Sequence, residues 1–534
     1  MKTFIKEKSH TNQQTGAQAI VSTLISNGID TVFGYPGSPL LSVYETLSKT
    51  PELKHILTRH EQGAVHAAEG WAKISGKCGV VIATSGAGFT NTITGLCNAN
   101  ADKTPLLIIT VCTENNGKNE FQEVDIPSIT KSCVKKSFII TKSEDTEKTI
   151  SQAITLTEKI PKGPVVIGIT KNALETANEQ KNYRKPQDIK VQAHHSCILK
   201  LIDTLKNAKK PLIIAGGGCY DSEHEVRELH QLTNIPVVNT LMAKGIADDI
   251  SYGLLGYNGN DHINNCINET DVALVLGSRL SDRTTNYAHK FLPNTKIYNI
   301  NIEPNKSKNV HIDKELTGEL KVILQQIIGA IKVKNVLFDI KYDWLEELSD
   351  NEPQINENLT LLSEDVLKTI YNYTKKYNPV ITTDVGQHQI TASKIFKTIS
   401  SRHFITSGGF GTMGYGLPAA IGAYIAKPNS LVLNITGDGS FQMNLQELGT
   451  CMEYNIPVKI IILNNSSLGM IKNQQIENNY SCFQSNLINP DFEKLANAYG
   501  IKGYTITNLE NLKQILPEIF VCKRPIVLDI KVNN

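Results

Sequence analysis

An aspartate between two glycines, Gly437-Asp438-Gly439, comes shortly after the apolar run of residues 431–435. A second apolar run, residues 458–463, is followed by the pair Asn464-Asn465. Both runs have the length and composition of buried parallel strands, and sheets of such strands bind ligands at their carboxyl edge. Glycines let backbone N–H groups approach a phosphate, and a carboxylate with an amide oxygen suits Mg²⁺ beside a diphosphate. The arrangement indicates a metal–diphosphate site, although Gly-Asp-Gly alone is more often a surface turn.

A second candidate is Glu61, which lies in the segment of residues 59–64 directly after the apolar run of residues 55–58. Its neighbours on the predicted helix are small or apolar, and burial disfavours the charged form of a carboxyl group. A glutamate in such a place can hold or release a proton near neutral pH. It could equally be an ordinary first-turn glutamate favoured by the helix dipole. His60 and His66 do not share one helical face, which argues against zinc.

Apolar strands alternate with amphipathic helices along the chain, which predicts an α/β fold with mostly parallel sheets covered by helices on both faces. The alternation restarts near residue 196 and again near residue 363. Two polar stretches without sustained periodicity, residues 178–194 and 339–360, are predicted to be linkers. We expect three doubly wound domains, at residues 1–190, 191–350 and 351–534.

Bulk composition favours a soluble enzyme over a nucleic-acid or membrane protein. The 534 residues carry 54 Lys and Arg against 52 Asp and Glu, a formal net charge of +2, so no charge excess favours nucleic acid. No apolar run approaches the ~20 residues of a membrane-spanning helix. Residues 1–14 are polar and lysine-rich, unlike a secretory signal. The ten cysteines form no CxxC pair, which favours reduced thiols and a cytoplasmic location.

The chemistry-bearing segments resemble those of a known family. Gly437-Asp438-Gly439 with Asn464-Asn465 resembles the thiamine-diphosphate-binding motif of thiamine-dependent decarboxylases and carboligases. Residues 384–389, 408–420 and 59–91 resemble the acetolactate synthase branch of that family. The chain is identified as a member of this branch, and the resemblance covers nearly the whole sequence.

The resemblance implies thiamine diphosphate, held through Mg²⁺ by Asp438, Asn465 and the backbone carbonyl of Ser467. It also implies that Glu61 hydrogen-bonds N1′ of the aminopyrimidine and relays a proton when a 2-oxo acid is decarboxylated. The other residues expected on this cofactor are Val385, Gly386, Gln387, His388, Gly437, Gly439, Ser440, Gly469 and Met470, with Gly411 and Met413 holding it bent.

A competing motif overlaps this region. Gly409, Gly411 and Gly414 form a GxGxxG pattern between a short apolar run and a predicted helix, which is typical of nicotinamide-binding folds. No acidic residue after a following strand is well placed for a ribose, and the surrounding segment matches the thiamine family. We therefore expect no dinucleotide at this loop.

On the substrate side, Phe121-Gln122-Glu123 resembles the family's pocket segment. Phe121 and Gln122 are candidates for lining the pocket, with Lys135 near them in the sequence, although Phe121 could be an ordinary core residue. The resemblance also places Arg279 near the substrate.

The central block resembles the FAD-contacting segments of acetolactate synthases, which do not need FAD for net redox chemistry. A glycine-rich strand exit suits a pyrophosphate, and Glu303 could accept a hydrogen bond from a ribose hydroxyl. Arg279 and Asp282 could equally form a surface ion pair. The candidate flavin contacts are Gly216, Gly217, Gly218, Leu255, Gly256, Gly259, Gly277, Arg279, Asp282, Arg283 and Glu303.

The implied reaction joins two pyruvates into 2-acetolactate and CO₂ for valine and leucine synthesis; 2-oxobutanoate as acceptor would lead towards isoleucine. The family builds its site from two subunits, so a homodimer or tetramer is implied. A small regulatory subunit is also compatible with the resemblance. Small 2-oxo acids are the expected partners, with no nucleic acid and no membrane.

Some positions depart from the family pattern. Gln474 stands where the family usually has a tryptophan that favours 2-oxobutanoate over pyruvate, so it leaves more room and a polar wall. The sequence also differs from the family pattern at residues 87–89, 110–112 and 471–474. These differences keep open the alternative that the chain is a related thiamine carboligase or decarboxylase that acts on another 2-oxo acid. A third alternative is a catalytically silent, cofactor-binding subunit.

Overall fold

The computed structural model describes residues 13–113, 121–181, 183–186, 191–349, 361–398, 400 and 402–533. The chain forms two compact units, residues 1–187 and 188–534. The first unit contains one six-stranded sheet and the second contains two. Neighbouring strands are parallel in all three sheets, and helices flank them, so the predicted α/β class is confirmed. The boundaries of the three expected domains stay a prediction.

The sheet of the first unit is made of short, largely buried strands, as expected when helices cover both faces. A separate antiparallel pair is formed by β1 (Gln13–Thr15) and β8 (Ala177–Glu179). The six strands of the sheet are β2 (Thr31–Gly34), β3 (Lys54–Leu57), β4 (Gly79–Ala83), β5 (Leu106–Cys112), β6 (Lys136–Ile140) and β7 (Pro164–Thr170). Its helices are α1 (Gly16–Ser26), α2 (Leu41–Ser48), α3 (Glu61–Ser75), α4 (Ala87–Thr90), α5 (Ile93–Asp102), α6 (Ile126–Thr130), α7 (Thr146–Glu158) and α8 (Lys171–Glu175). The strand order is β3-β2-β4-β5-β7-β6. From β2 the chain adds β3 on one side, whereas β4 and the later strands lie on the other side, so the direction of strand addition reverses between β2 and β4.

The second unit begins with another parallel sheet. Its strands are β9 (Pro211–Ala215), β10 (Val237–Asn239), β11 (Ser251–Leu254), β12 (Val272–Leu276), β13 (Lys296–Asn301) and β14 (Lys314–Thr317). Its helices are α9 (His195–Lys206), α10 (Glu223–Thr233), α11 (Asp261–Cys266), α12 (Leu320–Val333) and α13 (Tyr342–Leu348). The order β11-β10-β9-β12-β13-β14 reverses between β9 and β12.

The third sheet completes the second unit. Its strands are β15 (Val380–Thr383), β16 (Phe404–Ile405), β17 (Val432–Gly437), β18 (Lys459–Asn464), β19 (Lys502–Ile506) and β20 (Ile526–Lys531). Its helices are α14 (Ser363–Thr374), α15 (Gln387–Ile395), α16 (Gly416–Ala426), α17 (Asp438–Phe441), α18 (Leu448–Glu453), α19 (Gly469–Glu477), α20 (Phe492–Ala498) and α21 (Leu509–Val521). The order β16-β15-β17-β18-β20-β19 reverses between β15 and β17.

The prediction that residues 339–360 form a linker without regular structure is wrong for its first half. Helix α13 lies there and buries Trp344, whose indole N–H donates to the carbonyl of Pro211 at 2.9 Å. Leu348, four residues later, is also fully buried, so this pair docks an otherwise polar helix on the core of the second sheet. Two apolar positions are too few to show a sustained period. The rest of that stretch, residues 350–360, lies outside the described residues, as do residues 1–12 of the expected non-signal N-terminus.

The buried side chains form a separate hydrophobic core around each sheet. In the first unit, α1 shows how the sequence forms one of these layers. Thr15 and Gln18 form a reciprocal capping box at its start, and Ile20 and Leu24 lie fully buried against the sheet. Within the described ranges, no helix combines the length and apolar content needed to cross a membrane.

Candidate cofactor site

The proposed diphosphate segments lie at the carboxyl edge of the third sheet, where its strand order reverses. Residues 385–388 follow β15, Gly437 ends β17, and Asp438 begins α17. Asn465 directly follows β18, the neighbour of β17. Open α/β sheets bind ligands at such reversals. The fold thus brings the three separate motif segments to one place.

Asp438 is almost completely buried, with 2% of its surface exposed. Its Oδ2 accepts a hydrogen bond of 2.6 Å from the amide of Asn489. Burial raises the pKa of the Asp438 carboxyl, and hydrogen bonds from Asn489 and from the backbone of Gly439 and Ser466 oppose that rise. No cationic side chain in the described part of the chain pairs with it. A divalent cation would offset the cost of burying this charge, so the residue fits a Mg²⁺ ligand.

The two asparagines at the end of β18 differ in their surroundings. The amide of Asn464 donates to Asp529 Oδ1 at 2.8 Å, which ties Asn464 into the sheet. Asn465 instead turns into the following loop, where its Oδ1 accepts from the backbone N–H of Ser467 at 3.1 Å. Asn465 and Ser467 therefore lie in one tight turn beside the loop that carries Asp438.

Two glycines shape the space around His388. A Cβ added at Gly437 would lie 2.9 Å from His388 Nδ1, and one added at Gly386 would lie 2.8 Å from His388 Cε1. Burial lowers the pKa of His388 to about 4, so the imidazole is neutral at neutral pH. Its Nε2 is buried and finds no hydrogen-bond partner among the described residues. Such an unsatisfied nitrogen fits a site that a polar ligand completes.

The remaining diphosphate candidates lie around the same loops. The hydroxyl of Ser440 donates to the carbonyl of Val385 at 3.1 Å and so joins the loops after β15 and β17. A Cβ added at Gly469 would lie 3.1 Å from Asn465 Nδ2 and 3.2 Å from Gln387 Oε1. Gly469 therefore lies between two other residues that were predicted to hold the cofactor or its metal.

The loop before α16 reaches this edge as well. Gly411 has a φ of +73°, a conformation that glycine adopts without strain, and a Cβ added there would lie 3.9 Å from Val385 Cγ1. Met413 lies close to Gly439, because a Cβ added at Gly439 would be 4.0 Å from Met413 Cε. The buried carboxylate of Asp384 fixes the loop by accepting from the Gly416 N–H at 3.0 Å.

A cleft of about 660 Å³ opens within the second unit between α11, α15 and α19. Gln387 and Met470, both cofactor candidates, lie in its wall. Gln474 lines the same cleft beside Lys394 and Glu477. Gln474, one of the positions that depart from the family pattern, therefore lies in a polar cleft that adjoins the predicted cofactor residues.

In the first unit, Glu61 begins α3 and is 8% exposed. Its Oε2 accepts a hydrogen bond from the amide of Asn91 at 3.0 Å. A Cβ added at Gly88 would lie 2.9 Å from the Oε1 of Glu61, so any larger residue at position 88 would crowd that oxygen. An ordinary first-turn glutamate would point into solvent, whereas Glu61 is buried and held on one oxygen.

Gln122 lies against the same loop as Glu61. Its Oε1 accepts from the Ser85 hydroxyl at 3.2 Å, and a Cβ added at Gly86 would lie 2.6 Å from the Gln122 Cβ. Phe121 is 91% exposed in the chain, which excludes the alternative that it is an ordinary core residue. The structure therefore places Gln122, with Phe121 next to it, against the loop that also meets Glu61.

Lys135 does not join this group. It directly precedes β6, at the amino edge of the sheet, whereas Glu61 follows β3 at the opposite, carboxyl edge. Its Nζ donates to the carbonyls of Leu156, Lys159 and Pro161, each at 2.6 Å. Proximity to Gln122 in the sequence was misleading, because α6 carries the chain away from the carboxyl edge. Lys135 anchors the segment before β7, and we do not retain it as a pocket residue.

The flavin candidates gather at the carboxyl edge of the second sheet, around the reversal between β9 and β12. Gly216, Gly217 and Gly218 follow β9, and a Cβ added at Gly218 would lie 2.8 Å from Gly277 Cα after β12. These glycines therefore allow two loops to meet backbone to backbone. Arg283 stacks its guanidinium 4.8 Å from the Tyr257 ring centroid. The exposed candidates at this edge are Arg279, Asp282 and Glu303.

Near these loops, Leu255 and Gly259 follow β11 and flank Asn258. Asn258 is 3% exposed, and its Nδ2 has no hydrogen-bond partner in the described part of the structure. A buried amide left unsatisfied is costly unless something else pairs with it. The residues present at this edge thus fit a polar ligand.

Three family models match the chain and together span most of its length. They are the N-terminal TPP binding domain of thiamine pyrophosphate enzymes at residues 14–129, the central domain of these enzymes at residues 198–327, and their C-terminal TPP binding domain at residues 384–530.

Curated relatives are similar over nearly the whole chain. The acetolactate synthase large subunit of Haemophilus influenzae is 37% identical, with 97% of this chain and 95% of that protein covered. The acetolactate synthase isozyme 3 large subunit of Escherichia coli is 36% identical, with 94% and 92% covered. A probable acetolactate synthase large subunit of Methanocaldococcus jannaschii is 37% identical, with 97% and 92% covered. The chain belongs to the acetolactate synthase large-subunit family.

Membership in the acetolactate synthase family confirms the predicted resemblance and the class of enzyme, which depends on thiamine diphosphate. The GxGxxG loop of residues 409–414 falls inside the matched C-terminal TPP binding domain, in agreement with the preference for the thiamine family. The roles of single residues stay predictions.

Sequence reasoning missed two asparagines that hold the acetolactate synthase candidates in place. Asn91 donates to Glu61, and Asn489 donates to Asp438 from a position 51 residues later in the chain. Asn91 was inside a recognised segment but had no assigned chemistry. Asn489 follows no predicted strand, so no spacing rule pointed to it.

Proposed function

We propose that the chain is the catalytic subunit of an acetolactate synthase. It decarboxylates pyruvate and joins the two remaining carbons to a second 2-oxo acid. The product is 2-acetolactate with pyruvate as acceptor and 2-aceto-2-hydroxybutanoate with 2-oxobutanoate. The observation that carries the proposal is the similarity to acetolactate synthase large subunits over 97% of this chain.

Thiamine diphosphate, when bound, supplies a thiazolium carbon that adds to the 2-oxo acid carbonyl and accepts the electron pair released with CO₂. Glu61 holds and returns the proton at N1′ of the aminopyrimidine. Its burial beside Gly88 and its single amide partner, Asn91, support this role because the second carboxyl oxygen stays available. Gln122, against the adjoining loop, orients the substrate, with Phe121 beside it.

Asp438, Asn465 and the carbonyl of Ser467 hold Mg²⁺ in this proposal. The buried Asp438 carboxylate supports it, since a hard dication with oxygen ligands suits such a group. The diphosphate is held by the loop residues after β15, β17 and β18, including Val385, Gly386, Gln387, His388, Gly437, Gly439, Ser440, Gly469 and Met470. Gly411 and Met413 hold the aminopyrimidine end.

FAD is the proposed ligand of the second sheet. The strand-order reversal between β9 and β12 and the unsatisfied amide of Asn258 support a ligand at this edge. Gly216–Gly218, Leu255, Gly256, Gly259, Gly277, Asp282, Arg283 and Glu303 would hold it, and Arg279 would lie towards the substrate. The reaction needs no net redox step, so we propose a structural role for the flavin.

The relatives are named large subunits, and we propose a small regulatory subunit as a partner of this chain. We further propose a homodimer or tetramer in the cytoplasm, working in branched-chain amino acid biosynthesis. The ten scattered cysteines, none in a CxxC pair, favour reduced thiols and so support the cytoplasmic location.

A second candidate function is carboligation with a more polar acceptor. The position of Gln474 in the polar cleft, beside Lys394 and Glu477, favours it. A hydrogen-bonding wall accepts polar groups that an apolar wall excludes. Comparing 2-oxobutanoate with a hydroxylated 2-oxo acid of similar size as acceptors distinguishes the two candidates.

The decisive experiment is product analysis with purified protein, thiamine diphosphate, Mg²⁺ and FAD, supplied with pyruvate alone. We expect one acetolactate for each CO₂ released. Free acetaldehyde without acetolactate would contradict the proposal and favour a related decarboxylase. Binding of thiamine diphosphate with no CO₂ from any 2-oxo acid would favour the catalytically silent subunit. The absorbance spectrum of the same preparation reports whether flavin is bound.

A further inference from the structure

Asn489 lies at the centre of a hydrogen-bonded group around Asp438. Its Nδ2 donates to Asp438 Oδ2 at 2.6 Å and to Asn464 Oδ1 at 3.0 Å. A single amide nitrogen thus joins the residue that begins α17 to the residue that ends β18. The proposed metal ligands Asp438 and Asn465 lie at these two places, one after β17 and the other after β18.

The orientation of the Asn489 amide is fixed. Its Oδ1 accepts from Gln442 Nε2 at 3.0 Å, and the same Gln442 nitrogen donates to the carbonyl of Asp438 at 3.1 Å. If the amide rotated by half a turn, its nitrogen would face a donor and its oxygen would face a carboxylate. Gln442 therefore keeps the amide nitrogen of Asn489 directed at Asp438.

The segment that carries Asn489 is itself tied to the metal loop. The backbone N–H of Leu468 donates to the carbonyl of Ser485, and that of Leu487 donates to the carbonyl of Ser466, both at 2.8 Å. Ser467, whose carbonyl is a proposed ligand, lies between these two bonds and pairs with Asn486. The segment thus crosses the loop of Ser467 and then reaches Asp438 through Asn489.

We propose that Asn489 is a positioning residue for the metal: it holds one oxygen of Asp438 so that the other stays directed at a divalent cation. The inference rests on the proposed function, because it takes Asp438 as a ligand of the cation that binds the diphosphate. Partners of this kind orient a ligand, and their loss typically weakens metal affinity by about 10- to 100-fold. Asn489 touches neither substrate nor the reacting atoms in this account.

The test is calorimetric titration of thiamine diphosphate into the full chain at a series of Mg²⁺ concentrations, which gives the half-saturating Mg²⁺ concentration. We expect Asn489→Ala to raise this concentration by about 10- to 100-fold. Its melting temperature should fall only modestly, because a buried oxygen of Asp438 loses one donor. Its residual cofactor binding in Mg²⁺-free buffer should match that of the unchanged protein. Gln442→Ala should raise the same concentration by a smaller factor.

Asn486→Ala is the matched control, because Asn486 lies on the same segment but its exposed side chain accepts, among the described residues, only from Lys472, at 3.0 Å. An unaltered Mg²⁺ dependence in Asn489→Ala would overturn the inference, and so would equal weakening of binding with and without Mg²⁺. If Asn489→Ala does not fold, an unaltered Mg²⁺ dependence in Gln442→Ala would overturn it. Metal-dependent cofactor binding without acetolactate formation would defeat the proposed function and leave this inference standing.

Discussion

The carboxylates of Glu61 and Asp438 lie in similar surroundings, although we propose different chemistry for them. Each carboxylate comes at the carboxyl edge of a parallel sheet, at the start of a helix, and each has one oxygen held by an asparagine amide. Glu61 has a single amide donor, at 3.0 Å. Asp438 has a shorter bond of 2.6 Å and further backbone donors from two loops.

This difference matches the proposed roles. A proton relay must change its charge during the reaction, so few fixed donors should surround it. A metal ligand must stay ionised, and several donors favour the charged form of a buried carboxyl group. At Asp438 those donors oppose the rise in pKa that burial causes. The number of fixed donors around each carboxylate therefore separates the two functions.

The largest effect is expected for Asp438→Ala. Removing the buried carboxylate removes the proposed metal ligand, so Mg²⁺-dependent binding of thiamine diphosphate should be abolished in calorimetric titration. Asp365→Asn is a matched control, since burial also raises the pKa of the Asp365 carboxyl, but it lies in α14 and outside the site. Retained metal-dependent binding in Asp438→Ala would show that the cation is held elsewhere.

Glu61→Gln is expected to lower kcat by about 10²- to 10⁴-fold, the usual contribution of a positioned proton-transfer group. Cofactor affinity should stay within about twofold, because the glutamine keeps the shape of the side chain and its bond with Asn91. Initial rates and calorimetry on the same preparation measure both quantities.

Glu69→Gln is the control for Glu61→Gln. Glu69 is fully buried on the same helix and accepts from Asn98 at 2.7 Å. Its change should lower the free energy of unfolding and leave kcat of the folded enzyme nearly unaltered. Turnover of Glu61→Gln near that of the unchanged protein would refute the assigned role.

Asn91→Ala is expected to lower kcat by about tenfold, because losing one hydrogen bond to a charged group is worth about 1.5–3 kcal/mol and only part of that acts on the reaction. Asn98→Ala, which removes the corresponding amide bond to Glu69 from helix α5, should leave kcat of the folded enzyme nearly unaltered in the same initial-rate assay.

Gln474→Trp should produce the smallest effect, a shift of a few-fold in the product ratio towards 2-aceto-2-hydroxybutanoate when pyruvate and 2-oxobutanoate compete. An indole ring would replace only part of the polar wall with apolar surface, so we expect a fraction of the about 1–3 kcal/mol that a fully apolar pocket gives per methylene of acceptor. Gln475→Trp is the control, because the side chain of Gln475 bonds the carbonyl of Phe483 instead of lining the cleft. An equal product ratio in both variants would argue against the pocket proposal.

Local patterns sufficed for much of the fold. Strands β17 and β18 lie within two residues of the apolar runs 431–435 and 458–463 that predict them, because each run is buried and is followed by glycine or polar residues. Helix α13 was missed, since the short pair Trp344 and Leu348 docks it and such a pair gives no sustained apolar period.

The candidate site was predictable where its residues follow strands. Asp438 and Asn465 could be placed together because adjacent parallel strands end at one edge. The position of Lys135 depended on which edge of the sheet α6 leads to, and that of Asn489 on how a later segment crosses the loop of Ser467. Such placements are set by tertiary packing, which a single sequence does not encode in a local pattern.

The most direct test of this division of labour measures the dissociation constant of thiamine diphosphate and the rate of acetolactate formation in Glu61→Gln and Asp438→Ala, at saturating Mg²⁺. We predict that Glu61→Gln binds the cofactor normally and has almost no turnover, whereas Asp438→Ala fails to bind it. The account would be contradicted if Glu61→Gln lost the cofactor while Asp438→Ala bound it and formed acetolactate at the normal rate.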